Sequence, residues 1–337
     1  MDVTSDAEMR PAFLITIDTE GDNAWARPRK ASTRNAAYLP RFQALCERYG
    51  LAPTYLTTWE MAHAPAFQEL GRDILARRTG EIGMHPHAWD MPPVRPLGID
   101  DADRHPYLIE FPDEIARIKA ATLTATLEET FGVKMVSHRA GRWALDTRYA
   151  TILMDLGYRV DCSVTPHLHW PATGEPGCSV DYRAAPEDPY FVHRDDIARP
   201  GDCPLLEVPV TIRLLPRNGA LWRFTPLATS HPPTLFRRAF RAFWLRPDGR
   251  NGRILTTLLD RVLAADAPCA EFMLHSSELM PDCSPRFPTA KSIHALYADM
   301  ERLFEHARDR SDGLTLAQFA QRYSAGRSTK PRRERAG

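Results

Sequence analysis

The chain has 337 residues, 43% hydrophobic and 26% charged, with 43 Lys and Arg against 43 Asp and Glu. The hydrophobic share rules out global disorder, and the zero net charge argues against a bulk nucleic-acid binder, which is usually a basic domain. The length suits one large α/β domain or two smaller ones.

Residues 1–11 form a short polar segment without a signal-peptide pattern. No run approaches the roughly 18 apolar residues of a membrane helix, so a cytosolic protein is expected. The apolar run 12–17 reads as a first strand. Residues 35–49 follow as a helix, with Leu39, Phe42, Leu45 and Cys46 at helical spacing. A second strand is predicted over 53–58, a helix over 67–78 and a third strand over 81–89. After a proline-rich loop, Asp113 caps a helix running to 131; a fourth strand covers 133–138, a helix 146–156 and a fifth strand 158–164. Gly50, Gly80, Gly132 and Gly157 each stand past a helix and ahead of a strand, the place of a left-handed cap.

Residues 165–204 are rich in Pro, Gly, Asp and His and lack periodicity, which marks a functional loop rather than an ordinary connection. Sixth and seventh strands are predicted over 205–214 and 269–275, with helical stretches at 235–245 and 254–265 between them. A further helix spans 291–310, and the basic tail 323–337 is expected to be disordered. Six scattered cysteines without a C-x-x-C pair read as reduced thiols rather than a zinc or disulfide framework.

Repeated βα units imply a parallel sheet. With neither G-x-G-x-x-G nor a P-loop present, the α/β fold expected is a closed or nearly closed (β/α) barrel forming one domain over 12–322. Chemistry then belongs at the carboxyl ends of the strands, and polar residues gather there. Asp18 and Glu20 lie two apart on an extended chain, so both carboxylates point to one side. His85 and His87 have the same spacing, which lets two imidazoles share one metal ion. Arg139, followed by Arg142 and Trp143, stands where a guanidinium can clamp a carboxylate in a fork, either Asp18 or an anionic substrate. Asp161 and Glu207 end the fifth and sixth strands. His275 ends the seventh, placed to donate a proton. The second His-x-His, His167 and His169, lies in the long loop and is read as a substrate contact or surface pair.

Taken in order, Thr16-Ile-Asp18-Thr-Glu20, Glu81-Ile-Gly-Met-His85-Pro-His87, Arg139-Ala-Gly141-Arg142-Trp143, Asp161 and Leu274-His275 resemble the five motifs of the polysaccharide deacetylase family, carbohydrate esterase family 4. The continuation Ser163-Val-Thr-Pro166, with Asp181, Pro189-Tyr190 and Leu206-Glu-Val-Pro209, resembles a subgroup linked to lipopolysaccharide and surface-glycan synthesis. The resemblance implies an α/β fold, a distorted (β/α)7 barrel, that hydrolyses an N-acetyl group with a divalent ion, zinc first and Co, Mn or Ni as alternatives. It makes Asp18 the general base, Arg139 its orienting partner and His275 the general acid. Glu20, His85 and His87 are then the metal ligands, with Asp22 the substitute carboxylate, and Asp22, Trp89, Trp143 and Asp161 the substrate contacts.

The sequence departs from the family pattern in having Asp-x-Glu for Asp-Asp, His-x-His for His-x-x-x-His with Trp89 at the later position, and Ala140 where proline is common. A degenerate site would make the protein a glycan-binding barrel without activity. An amidohydrolase-type barrel on a small amide is the other enzyme reading. The implied partner is an N-acetylated glycan or glycolipid, lipid-linked or nucleotide-linked. Residues 236–246 alternate arginines with apolar residues; they read either as a basic amphipathic helix that contacts an anionic membrane or as an ordinary barrel helix with its apolar face inward.

Overall fold

The first apolar run extends two residues further than its hydrophobic stretch: β1 covers Ala12–Thr19 and is buried along its whole length. The structure, a computed structural model, describes residues 10–26, 31–89, 91–98, 101–172, 178–224 and 239–329. After β1 come α1 (Leu39–Arg48), β2 (Pro53–Thr57), α2 (Trp59–Ala62), α3 (Pro65–Arg77), β3 (Glu81–Met84), α4 (Asp101–Arg104), α5 (Asp113–Phe131), β4 (Ser137–His138), α6 (Thr147–Asp155) and β5 (Val160–Asp161). Then follow β6 (His169–Trp170), β7 (Val180–Asp181), β8 (Tyr190–His193), β9 (Asp196–Pro200), β10 (Leu206–Glu207), β11 (Ile212–Pro216) and β12 (Phe240–Trp244). The chain closes with α7 (Gly252–Ala264), β13 (Cys269–His275), α8 (Ala290–Arg308), β14 (Asp312–Leu314) and α9 (Leu316–Thr329).

Seven parallel strands form the frame, in the order β13-β1-β2-β3-β4-β5-β10, which gives the seven expected from the sequence. The sheet curls into an open barrel with helices outside. It continues past β10 into the antiparallel pair β8 and β9, and β14 adds in parallel beside β1. Among the described residues no ladder joins β10 to β13. Instead the seam is bridged by Thr211, whose hydroxyl accepts from Glu271 N at 2.8 Å and whose carbonyl accepts from Leu245 N at 2.9 Å.

Strand period two sorts the side chains. On β1, Phe13, Ile15 and Ile17 join the large outer core against the helices, whereas Ala12 and Leu14 face inward with Leu56, Val160, Leu206 and Cys269. Leu316, Phe319 and Ala320 of α9 plug that inner core. Continuing the inward alternation up β1 gives Thr16 and then Asp18; on β13 it gives Glu271, Met273 and His275. The register pairs Asp18 with His275. The bottom of the barrel is therefore mostly apolar, with Glu271 and Glu81 buried at the level of Leu14 and Thr54, and its top carries Asp18 and His275.

Several sequence expectations change. The strand predicted over 205–214 divides, because β10 stays in the barrel while β11 leaves to pair antiparallel with β12. The helix expected over 235–245, and with it the amphipathic reading of 236–246, is overturned where the structure describes it: residues 240–244 are strand β12, and 235–238 lie outside the described residues. The aromatic content of Phe240-Arg-Ala-Phe-Trp244 suits a pleated surface, and Phe243 packs edge-on against Trp222 with ring centroids 4.9 Å apart. The irregular loop expected over 165–204 carries β6 to β9. The tail expected to be disordered from 323 is helical through Thr329, with 330–337 outside the described residues. Gly50, Gly132 and Gly157 do take positive φ, but at the third helix the cap is Arg78 (φ 57°) rather than Gly80. None of the six cysteines forms a disulfide.

Candidate active site

A cleft of about 420 Å³ opens at the carboxyl ends of the parallel strands. Asp18, Glu20, His85, His87, Trp89, Trp143 and His275 all line it, brought together from β1, the turn after β3, the turn after β4 and the end of β13. The predicted third strand stops at Met84, so both histidines stand in the turn beyond it; His85 N donating to Thr57 O (2.9 Å) carries the backbone one step further.

Arg139 is the hub beneath the cleft, wholly buried. Its Nη1 donates to Asp18 Oδ1 (2.6 Å), its Nη2 to Glu271 Oε1 (2.5 Å) and Thr16 Oγ1 (2.8 Å), and its Nε to the Cys162 carbonyl (3.1 Å). Burial opposes ionisation of Asp18, but Arg139, with His85 and His275, outweighs it and holds the carboxyl well below the usual range. Asp18 is therefore a carboxylate, with Oδ2 lying 3.8 Å from His85 Nε2 and 3.6 Å from His275 Nε2.

Glu20, His85 and His87 each offer a ligand atom within 4.8 Å of the others, and all three are buried. Glu20 Oε2 lies 3.7 Å from His87 Nε2. His85 Nδ1 faces the Arg139 carbonyl at 2.9 Å and must donate to it, which leaves Nε2 as the lone-pair nitrogen. Burial pushes His85 down to about 4 and His87 well below its ordinary value, so both imidazoles stay in the neutral form that ligates. Burial and then the neighbouring Asp18 raise Glu20 well above the usual carboxyl value, a penalty that a bound cation would relieve. Two neutral nitrogens, one carboxylate oxygen and an open side make the donor set of a catalytic divalent-ion site, and the residues fit one. The backbone of Glu20 is held on both sides: its N–H donates to Ser276 Oγ (3.0 Å), and its carbonyl accepts from Asn35 Nδ2 (2.8 Å).

The other sequence candidates separate. Asp22 stays out of the ligand group: Oδ2 accepts from Ser32 Oγ and Arg34 Nε, Oδ1 accepts from Asn35 N, and the side chain knots the loop after β1. Asp161 is fully buried below the cleft, accepting from His138 Nδ1 (2.6 Å) and from the amide and hydroxyl of Ser163 (2.9 Å each). Ser163 Oγ in turn accepts from Ala140 N, so Asp161 supports the turn that carries Arg139. Burial and then Asp161 raise the Glu207 carboxyl well above its usual value. Trp89 stacks on His87 (4.5 Å, 18°), and Trp143 lies over the Arg139 guanidinium (4.7 Å) and edge-on to Trp244 (5.9 Å). Arg142 and Trp143 both adopt positive φ (55° and 66°), a local strain of the kind that gathers at functional sites. His167 binds Glu187 Oε1 at 2.6 Å, away from the metal-ligand group.

Sequence reasoning missed the environment of His275. Arg246 Nη2 donates both to His275 Nδ1 and to Glu278 Oε1 at 2.8 Å. A guanidinium only donates, so Nδ1 accepts and the ring proton sits on Nε2, toward Asp18 and the cleft. Burial and then Arg246 lower His275, while Glu278 Oε2, 3.6 Å from Nδ1, works in the opposite direction. The i, i+3 spacing of His275 and Glu278 was a legible signal. Glu271, a lone charge inside the apolar strand 269–275, was another.

No family model matches the sequence, and no curated protein matches it. Solved structures share the fold. One described as a polysaccharide deacetylase from Mycobacterium smegmatis is 18% identical, covering 96% of this chain and 93% of its own, with a TM-score of 0.55. One described as a glycoside hydrolase/deacetylase from Parabacteroides distasonis is 10% identical over 96% and 73%, TM-score 0.55. Puue allantoinase is 14% identical over 95% and 91%, TM-score 0.52. These likenesses are ones of fold. Among the described residues no helix is long and apolar enough to cross a membrane.

Proposed function

We propose that the protein is a divalent-metal-dependent carbohydrate N-deacetylase, a hydrolase of a non-peptide carbon–nitrogen bond. The observation that carries the reading is the buried Glu20, His85 and His87 group set beside the Asp18–Arg139 pair and His275 in one cleft. The fold shared with structures described as deacetylases supports it. Glu20, His85 and His87 would hold the ion, zinc being the first choice for this N/O donor set. When bound, such an ion polarises the acetamide carbonyl and lowers the pKa of water.

The protein's own groups divide the remaining work. Asp18 uses Oδ2, the oxygen that Arg139 does not engage, to take the proton of the attacking water. Arg139 keeps that carboxylate ionised and fixed in orientation. His275 acts as general acid in its imidazolium form: with a second proton on Nδ1, held by Glu278 Oε2 in place of the Arg246 contact, it gives the proton on Nε2 to the departing amine and returns to the neutral ring. The C–N bond breaks, leaving acetate and a free amino sugar. Trp89, Trp143, Trp170 and Trp244 line the cleft as apolar faces for a sugar ring. The finer reading, a lipid-linked or nucleotide-linked sugar of a surface polysaccharide or lipopolysaccharide handled in the cytoplasm, rests on the sequence resemblance alone.

The test is acetate release from N-acetyl sugars by protein of known metal content. Chelator should abolish it and one divalent ion per chain restore it, while Asp18→Asn should abolish turnover with the metal retained. Full activity in metal-free protein would overturn the proposal. A second reading, hydrolysis of a small amide, draws on the fold shared with the allantoinase; turnover of small amides with no acetate from any N-acetyl sugar would favour it.

A further inference from the structure

The cleft carries a charge that deacetylation alone does not require. Four guanidinium groups line it, those of Arg142, Arg241, Arg246 and Arg286, against three carboxylates, those of Asp18, Glu20 and Asp248. Asp18 is balanced from below by Arg139, and ionisation of Glu20 is opposed by burial and by Asp18. On the far wall, Glu278 is shared: Oε1 lies 2.8 Å from Arg246 Nη2 and 3.7 Å from Arg286 Nε. One carboxylate therefore faces two arginines as well as His275. Arg241 lines the cleft from β12, with its guanidinium carbon 4.2 Å from the centroid of the Phe243 ring, which also lines it. Burial and then repulsion from Arg246 work against the charged form of Arg286, and Glu278 and Asp248 only partly offset them. Gathering like charges in a concave, partly dry site costs free energy that an oxyanion ligand returns.

We propose that Arg241 and Arg286, with Arg246 behind them, form a subsite for an oxyanionic substituent on the sugar, a phosphate ester or a carboxylate. The guanidinium fork matches both groups, and hydrogen bonds between charged partners are about twice as strong as neutral ones. The subsite draws Arg241 from β12, Arg246 from the turn after it and Arg286 from the segment after β13. It deepens the deacetylase reading and rests on it for the identity of the ligand as a sugar. The arginine wall thus selects among N-acetyl sugars by charge.

Binding, read by calorimetry on metal-free protein, tests this without turnover. The probes are N-acetylglucosamine, its 1-phosphate and its uronic acid. The expected result is that at least one charged sugar binds about tenfold tighter than the neutral one at low salt, with the margin shrinking as salt rises. In Arg241→Gln/Arg286→Gln the margin should fall to about twofold or less. Arg117→Gln, which removes a surface arginine of α5 paired with Asp155, should keep it. A gain for the phosphate alone assigns a phosphoryl group, and a gain for both assigns any oxyanion. Equal binding of all three probes, or a margin that survives the double variant, overturns the inference. Should the double variant not fold, the salt dependence of the wild-type margin decides, a salt-independent margin counting against the subsite. If charged sugars are preferred but none releases acetate after metal loading, the deacetylase reading fails while the subsite stands.

Discussion

Arg139 and Asp18 meet at 2.6 Å with side-chain exposures of 0% and 3%, and the same guanidinium holds Glu271 at 2.5 Å. One cation thus faces two carboxyl groups in a fully buried space. Burial raises the Glu271 carboxyl and Arg139 pulls it down, so its charge depends on that contact.

Removing the arginine strands both acids. Arg139→Met should cost about 3–5 kcal/mol, the usual penalty for breaking a buried pair from one side, seen as a lower urea midpoint. Adding Glu271→Leu should recover part of the loss, since it takes away one of the two stranded groups and an oxygen, Oε2, that has no hydrogen-bond partner among the described residues. An Arg139→Met protein as stable as wild type would sink this account of the hub.

Metal stoichiometry separates Glu20 from Asp22. Glu20→Ala should lower the divalent ion bound per chain to near zero while the protein still folds. Asp22→Asn should keep one ion per chain yet destabilise the fold by about 1–3 kcal/mol, because Asp22 accepts from Ser32, Arg34 and Asn35 in a mostly buried setting. Elemental analysis beside thermal unfolding reads both. Loss of the ion in Asp22→Asn alone would move the carboxylate ligand to Asp22.

The inner face of the barrel was legible because strand period two is a local property. Thr16 and Asp18 of β1 declare a common side by spacing alone, whereas His85 and His87 come together in the turn after β3. Seven parallel strands followed from the same logic. What could not be read is what depends on long-range pairing. Nothing near residue 240 says that Phe240–Trp244 will pair with Ile212–Pro216, and the alternation of arginines with apolar residues there satisfies a helix pattern as well as a strand. That single error hid Arg246, whose contact with His275 crosses 29 positions. Asp161 shows the converse: placed correctly at a strand end, it turns inward to Ser163 and to His138, and the contact with His138, 23 positions away, depends on a neighbour that its own segment does not contain.

Acidification should weaken the wall through Glu278. Burial opposes its ionisation, but Arg246 and then His275 more than compensate and bring it to about 2 from an ordinary 4.5. The shift is downward, so the stability it confers is fully present above about pH 4.5 and is lost as pH falls through about 2. Its size is on the order of 3 kcal/mol. Glu278→Gln should therefore be less stable than wild type at neutral pH, with the difference narrowing across that window in urea titrations at stepped pH. A difference that stays constant down to pH 2 would count against the ion pair as its source.

The turn bearing the two histidines can be moved without touching a ligand. Gly141 lies against it so closely that a Cβ there would stand 2.3 Å from Pro86 O and 3.0 Å from His87 Cδ2. Backbone cannot yield as a flexible side-chain end does, so Gly141→Ala must displace the segment 85–87 or its own turn, at an overpacking cost of about 1–3 kcal/mol. His87 then leaves its place opposite Glu20, and metal affinity should drop about tenfold or more, as supporting-residue changes at metal sites do. Gly132→Ala is the control for strain alone: φ is +69° there and nothing lies within 4 Å of the added carbon, so stability should fall by about 1 kcal/mol with metal affinity kept. Competition against a chelating dye, with unfolding measured alongside, compares the two. If Gly141→Ala binds metal as tightly as Gly132→Ala does, the close approach at Pro86 does not position His87.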